Sequence, residues 1–237
     1  MKILIIIPAY NEEENIAGVV ARLNREFPDL DYLVVNDSSR DSTEEILCAL
    51  GCNHIHLPVN LGIGGSVQCG YLYAVENGYD IAVQMDGDGQ HDPQYLPALL
   101  QPILDGKADL VIGSRFIEKK GFQTSVMRRL GIRWIGGVLR LCCGLRITDA
   151  TSGFRACSRA MAKHYSLHYA QDYPEPEAIM QAKLNGFRVC EVPVVMKERQ
   201  GGVSSIGGVR SLYYMVKVTL ALLLCRMRGR EKGREGE

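Results

Sequence analysis

The feature that most constrains this chain is an alternation. Short, continuously apolar runs are each followed by a segment of helical period, from the first residues to about residue 114. "KILIII" reads as a strand, and the segment Glu12 to Phe27 sets Ile16, Val20, Leu23 and Phe27 on one helical face. "YLVV" is a second strand, followed by "DSTEEILCAL", where Ser42 and Glu45 have capping-box spacing. "HIHL", a glycine loop and a helix through "VQCGYLYAV" come next, then "DIAVQM", a helix from Pro93 and the strand "DLVIG". Strands and helices alternating at this spacing predict an α/β fold. Its sheet is mostly parallel and doubly wound, with right-handed crossovers and helices on both faces. Ligands of such sheets sit beyond the carboxyl ends of the strands.

Bulk properties exclude several classes. Lys plus Arg and Asp plus Glu both number 27, so no global field points to nucleic acid. The eight cysteines show no CxxC and no metal-finger spacing, and the start "MKILIIIPAY" is too short for a secretory leader. Reduced, buried thiols in the cytoplasm are therefore expected. The longest apolar run, Leu212 to Leu224, contains Lys217 and falls short of the ~20 residues of a membrane span. Without an internal repeat or long linker, the chain reads as a catalytic-size domain over 1–207 and a C-terminal helix with a charged tail over 208–237.

Polar clusters gather where the strands end. Tyr10-Asn11-Glu12 follows the first, Asn36-Asp37-Ser38 the second, and Asp86 to Gln90 the fourth. In "MDGDGQHDP" two carboxylates, Asp86 and Asp88, stand one residue apart with no cation beside them in sequence. A hard divalent ion with phosphate and water in its shell stabilises such a pair, and Gln90 offers another oxygen. A solvated Asp/Gly turn is the plainer alternative. An EF-hand is excluded because His91 and Pro97 stand where glycine and glutamate are required. "NLGIGG" lacks the third glycine of a dinucleotide fingerprint, so glycines such as Gly62 are read as letting the backbone pass close to a ligand, or as a structural turn.

The ordered series "IPAYNEEENI", "VVNDSSRDST", "NLGIGGSVQCG", "MDGDGQHDP", "GSR" and "DATSGFR" resembles the family 2 glycosyltransferases. The likeness runs on through "EAIMQAKLNGFRVCEVPVVMKERQGGVSS" toward the polyprenyl-phosphate sugar transferase branch, and covers residues 1 to about 210. It implies a GT-A fold, a nucleotide-sugar donor, Mg²⁺ or Mn²⁺, and an inverting transfer to a lipid-linked saccharide or polyprenyl phosphate in cell-surface polysaccharide synthesis. It also implies residue roles. Pro8, Tyr10, Glu12 and Asp37 line the base and ribose pocket; Asp86, Asp88 and Gln90 hold the metal; Arg115 and Arg199 face the phosphates, and Arg129 a phosphate by family spacing. Asn36 and Ser38 depart from a commoner aspartate and glycine, and Ser205 stands where lysine is frequent.

A hydroxyl acceptor needs a general base, for which Asp172, Glu175 and Glu177 are available, the family pattern favouring Glu177. Asp149 is a second acceptor-side candidate. An ionised phosphate acceptor needs none. The five histidines are not grouped like zinc ligands and receive no role. In the last helix Leu212, Met215, Val216, Thr219, Leu220 and Leu223 form a stripe flanked by basic residues, which either packs on the domain or lies on an anionic membrane face. A non-catalytic nucleotide-sugar-binding protein of the same fold is the alternative function.

Overall fold

The structure, a computed structural model, describes residues 1–121, 125–197 and 208–234. Its strands are β1 (Ile3–Ala9), β2 (Asp31–Asn36), β3 (His54–His56), β4 (Ile81–Gln84), β5 (Leu110–Ser114), β6 (Arg155–Ser158) and β7 (Val189–Pro193). They form one sheet in the order β3-β2-β1-β4-β6-β5-β7. Only β6 runs against its neighbours β4 and β5; the other pairings are parallel. The regular alternation fades after Arg115 because the chain there returns antiparallel, between strands already placed.

β1 is apolar throughout because it is covered on both sides. Leu4 and Ile6 join one core with Leu33, Val35 and Tyr71, while Ile5 and Ile7 join the other with Val34, Val83 and Leu99. Each of these four β1 residues is fully buried, a contribution of roughly 1.5–3 kcal/mol apiece. The second core is roofed by α1 (Ile16–Glu26), α2 (Thr43–Leu50) and α4 (Leu96–Leu104), the last preceded by a 3₁₀ turn at Pro93–Tyr95. The first is roofed by α3 (Gly62–Glu76), α5 (Val126–Cys143), α6 (Arg159–His168) and α7 (Pro174–Leu184).

Three local expectations are corrected. The glycines after β3 lie inside α3, not in a loop before it. A Cβ on Gly70 would sit 2.2 Å from Ile6 Cγ2, and one on Gly64 would sit 2.4 Å from the Ala170 carbonyl, so these glycines let α3 lie close on β1 and on the 170–171 segment. At the start of α2 no Ser42 capping box forms; Asp41 accepts from the Thr43 amide (3.1 Å) and hydroxyl (2.6 Å) instead. The cysteines are free as expected, but only Cys142 and Cys157 are buried, and Cys48 is exposed.

The C-terminal helix α8 (Gly208–Arg234) packs along α5 and α7. Its core-facing residues are Val218 and Leu222, both fully buried, and the Trp134 indole of α5 donates to Thr219 Oγ1 at 3.0 Å. The stripe read from the sequence divides: Met215 and Thr219 lie against α5, whereas Val216, Leu220 and Leu223 point to solvent. Among the described residues no helix is long and apolar enough to cross a membrane.

Candidate active site

The order of the sheet reverses between β1 and β4, and the crevice beyond their carboxyl ends is where such a sheet binds its ligand. The acidic turn is stitched into that crevice. The Met85 amide donates to Ile6 O (2.9 Å) and the Gly87 amide to Pro8 O (3.2 Å), which carries Asp86 and Asp88 over the end of β1. The Asp86 carboxylate rests on a buried relay in which the Tyr169 hydroxyl donates to Gln84 Oε1 (3.4 Å) and Gln84 Nε2 donates to Asp86 Oδ1 (3.2 Å). Its other oxygen uses space that only a glycine leaves open, because a Cβ on Gly153 would lie 2.7 Å from Asp86 Oδ2. Asp88 Oδ1 accepts the Gln90 amide at 3.0 Å, closing the turn.

His91 has a definite place that the sequence did not disclose. Its Nδ1 accepts the Asp86 amide (2.9 Å), so the ring proton sits on Nε2, which lies 3.8 Å from Asp86 Oδ2. The ring stacks on Phe154 at 4.8 Å. A histidine five residues after an aspartate is too common to signal this. Gln90, a sequence candidate for the metal, turns its Nε2 to the Lys197 carbonyl (3.3 Å), while its own carbonyl accepts the Lys197 amide (2.9 Å). Lys197 reaches Asp92 (3.2 Å), which also pairs with Arg22.

On the β2 side, Asp37 is almost wholly buried and its Oδ1 accepts the Leu61 amide at 2.7 Å, so it ties the start of α3 to the end of β2. Gly62, next in line, has φ +74°, a conformation that favours glycine. Ser38 adopts φ +57°, which explains why glycine is the commoner residue there. Glu12 is buried and accepts from Asn15 (2.8 Å), Pro8 is buried, and Tyr10 stands exposed at the rim. The structure thus brings Pro8, Tyr10, Glu12, Asp37 and Gly62 to one edge of the mouth.

On the other side, Arg115 and Asp149 meet each other. Arg115 donates from Nε and Nη2 to the two Asp149 oxygens, each at 2.7 Å, and the pair is buried. Glu191 of β7 holds the corner by accepting the Thr148 (2.8 Å) and Asp149 (2.9 Å) amides. Arg155, fully buried, donates to the Ser152 carbonyl (3.1 Å from Nε) and lies within electrostatic reach of Glu175. Burial pushes the Glu175 carboxyl above its ordinary range, against the pull of Arg155, and Asp86 adds to the rise. Of the three carboxylates considered as base, Asp172 before α7 and Glu175 and Glu177 on it, Glu175 therefore shares a field with the acidic turn. Glu177 influences Tyr173 and, more weakly than Glu175 does, Tyr214 on the α8 side.

Arg129 lines a neighbouring cavity of about 520 Å³ together with Lys119, Arg133, Arg140 and Arg146. Phe116, Ile132 and Ile147 supply its apolar wall, and among the described residues no acidic one lines it. Among the described residues none of these five cations forms an ion pair within 4.0 Å. Arg128, one residue before, is the α5 arginine whose charge reaches Arg115, Asp149 and Glu175. Arg199 and Ser205 lie outside the described residues.

A mixed sheet of this order, with a two-aspartate turn at its reversal, defines a GT-A-like transferase architecture. The solved glucosyl-3-phosphoglycerate synthase of Mycobacterium tuberculosis, crystallised with Mn²⁺ and UDP-glucose, superposes with a TM-score of 0.72 at 24% identity, over 95% of this chain and 78% of that one. The chain belongs to glycosyl transferase family 2, whose model matches residues 4–166. It is a nucleotide-sugar glycosyltransferase. Among its relatives, the undecaprenyl-phosphate mannosyltransferase of Micrococcus luteus is 34% identical, over 88% of each chain. The polyprenol monophosphomannose synthase of Mycolicibacterium smegmatis is 33% identical, over 91% of this chain and 84% of that one. The UDP-N-acetylglucosamine–dolichyl-phosphate N-acetylglucosaminyltransferase of Methanococcus voltae is 33% identical, over 81% and 84%.

Proposed function

We propose that this enzyme transfers a sugar, with inversion, from a nucleoside-diphosphate sugar to a polyprenyl phosphate at a membrane surface. The observation that carries the reading is the pairing of two anion-handling sites: the carboxylate turn at the β1/β4 crevice and, beside it, the basic cavity. The names of the three sequence relatives, which carry undecaprenyl phosphate, polyprenol monophosphomannose and dolichyl phosphate, support it.

Asp86 and Asp88 are hard oxygen donors, and the room left by Gly153 keeps Asp86 available, so the set fits Mg²⁺ or Mn²⁺, with Gln90 Oε1 as a further donor. When bound, such an ion neutralises charge on the departing diphosphate. Arg115, fixed in orientation by Asp149, faces the same diphosphate, and Arg199 adds a second cation. Pro8, Tyr10, Glu12, Asp37 and Gly62 form the edge against which the nucleoside rests. Arg129 and the other cations of the cavity hold the phosphate of the acceptor. A phosphate oxygen then attacks the anomeric carbon from the face opposite the diphosphate. The bond from that carbon to the diphosphate oxygen breaks, and the nucleoside diphosphate leaves.

A phosphate monoester is largely ionised at neutral pH, its second pKa being about 6, and needs no base. Glu177 is required only for a hydroxyl acceptor. Expected of Glu177→Gln is transfer to a polyprenyl phosphate within about tenfold of wild type; a loss of more than about a thousandfold, with donor binding intact, would contradict a transfer that needs no base. Direct assay of radiolabelled donor with polyprenyl phosphate, Mn²⁺ and purified enzyme tests the reading as a whole. Release of nucleoside diphosphate without labelled lipid product would overturn it.

The exposed apolar residues of α5 and α8, Val126, Met127, Leu130 and Trp134 with Val216, Leu220 and Leu223, adjoin this basic region. They set the acceptor side against the anionic cytoplasmic face of a membrane.

A further inference from the structure

Away from the sugar-transfer site, three ligand-type side chains of different chemistry converge at the β3 edge of the sheet. Glu44 and Cys48 are four residues apart on α2 and share its face, and His54 comes from β3. His54 Nε2 lies 3.4 Å from Glu44 Oε1 and 3.9 Å from Cys48 Sγ, and Cys48 Sγ lies 3.8 Å from Glu44 Oε1. The three atoms form a nearly equilateral triangle. Metal bonds of about 2.0–2.2 Å to nitrogen and oxygen and about 2.3 Å to sulfur, set tetrahedrally, require ligand separations of roughly 3.3–3.6 Å. Contraction by a few tenths of an ångström reaches that geometry.

The neighbours orient the trio as metal ligands are oriented. His54 Nδ1 donates to the Cys52 carbonyl at 3.0 Å, which leaves the Nε2 lone pair turned toward Glu44 and Cys48. The second oxygen of Glu44 accepts from Asn36 Nδ2 at 2.6 Å and lies 3.0 Å from His56 Nδ1, so the carboxylate is fixed with Oε1 facing the other two ligands. Asn36 is one of the departures from the family pattern, and an aspartate there could not donate to Glu44. Cys48 is exposed, which gives an ion a path in.

We propose that Glu44, Cys48 and His54 form a second metal site, for a borderline-soft divalent ion of the Zn²⁺ type, with water in the fourth position. A thiolate and an imidazole select such ions over Mg²⁺ and Mn²⁺, which the all-oxygen Asp86–Asp88 turn suits. Binding replaces the Cys48 thiol proton, which leaves to solvent, by a metal–sulfur bond. The site connects to the donor edge. Asn36 Oδ1 accepts from the Ser39 amide (3.1 Å) and hydroxyl (2.6 Å), and Ser39 Oγ accepts the Asn11 amide (3.0 Å). An ion that pins Glu44 therefore stiffens the 36–39 loop beside Asp37.

The test titrates reduced, metal-free full-length protein with Co²⁺ and then Zn²⁺. With excess Mg²⁺ present to occupy the acidic turn, wild type should develop a near-ultraviolet thiolate-to-cobalt band that saturates at one equivalent of Co²⁺ and that Zn²⁺ abolishes. Cys48→Ser and His54→Gln should each lose the band while keeping the wild-type circular dichroism. Cys52→Ser should retain it, and Asn36→Asp should weaken Zn²⁺ binding about 10–100-fold. The proposal fails if wild type shows no band up to millimolar Co²⁺, or if the band survives in Cys48→Ser. In either case the trio is only a hydrogen-bonded surface cluster.

Discussion

Gly153 lacks a side chain where the Asp86 carboxylate needs the room, and this ties it to the acidic turn. Gly153→Ala places a methyl group 2.7 Å from Asp86 Oδ2 and must turn the carboxylate. The expected result is a metal-dependent donor affinity reduced by at least about tenfold, or about 1.4 kcal/mol, with the protein still folded, measured by calorimetry of nucleoside diphosphate binding. Asp149 matters through Arg115. Asp149→Asn leaves a buried guanidinium with half its charge-assisted bonds, and should cost about 3–5 kcal/mol of stability in urea unfolding. At this scale the sequence disclosed the reactive types but not their partners. Asp86, Asp88 and Arg115 stood out by charge at strand ends. That Arg115 points at Asp149, and that His91 carries the Asp86 amide, depends on contacts the chain makes only after the sheet closes. The zinc-like trio escaped notice for the same reason, since its histidine and cysteine follow no motif spacing.

Elements were legible wherever local pattern and burial agree. β1 to β5 and the helices between them follow from apolar runs and helical period, because each crossover packs on the strand beside it. β6 was not legible as an antiparallel strand: four residues, Arg155 to Ser158, carry too little pattern, and their direction is set by the gap between β4 and β5. The start of α3 was not legible because glycine is normally a helix breaker, whereas here Gly64 at its start, like Gly70 further along, is needed for close approach. Gly70→Ala should therefore destabilise by about 1–3 kcal/mol, despite the better helix propensity of alanine, in chemical denaturation. The 3₁₀ turn and the loop of Lys197 are joined through Asp92. Burial works against its charge, but the Gln94 amide, Lys197 and Arg22 outweigh that and hold the carboxyl below its ordinary 3.8. The stability this gives is present above 3.8 and is lost as pH falls through the lowered value. The gap between wild type and Asp92→Asn should accordingly stay constant from about pH 7 to about pH 5 and close only in stronger acid, followed by thermal unfolding across the pH range.

At the scale of the whole molecule, α8 has two loyalties. Val218 and Leu222 belong to the core, so truncating the helix at residue 208 would expose the interior and says little about membranes. Leu222→Ala should cost about 2–5 kcal/mol. Replacing Leu220, Leu223 and Leu224 with serine should leave thermal stability nearly unchanged and reduce cosedimentation with vesicles of anionic lipid by at least about tenfold. Unchanged cosedimentation would detach the membrane from the account. The molecule is then a sheet with a carboxylate turn at its reversal and basic, apolar-rimmed walls beside it, the two sites on which the proposed lipid-phosphate transfer depends. The most direct measurement is a Mn²⁺ titration followed by electron paramagnetic resonance, with and without nucleoside diphosphate, in wild type and Asp88→Asn. Wild type should bind one Mn²⁺, tighter by at least about tenfold when UDP or GDP is present, and Asp88→Asn should lose that coupling. Equal coupling in both proteins would place the metal and the diphosphate somewhere other than the acidic turn.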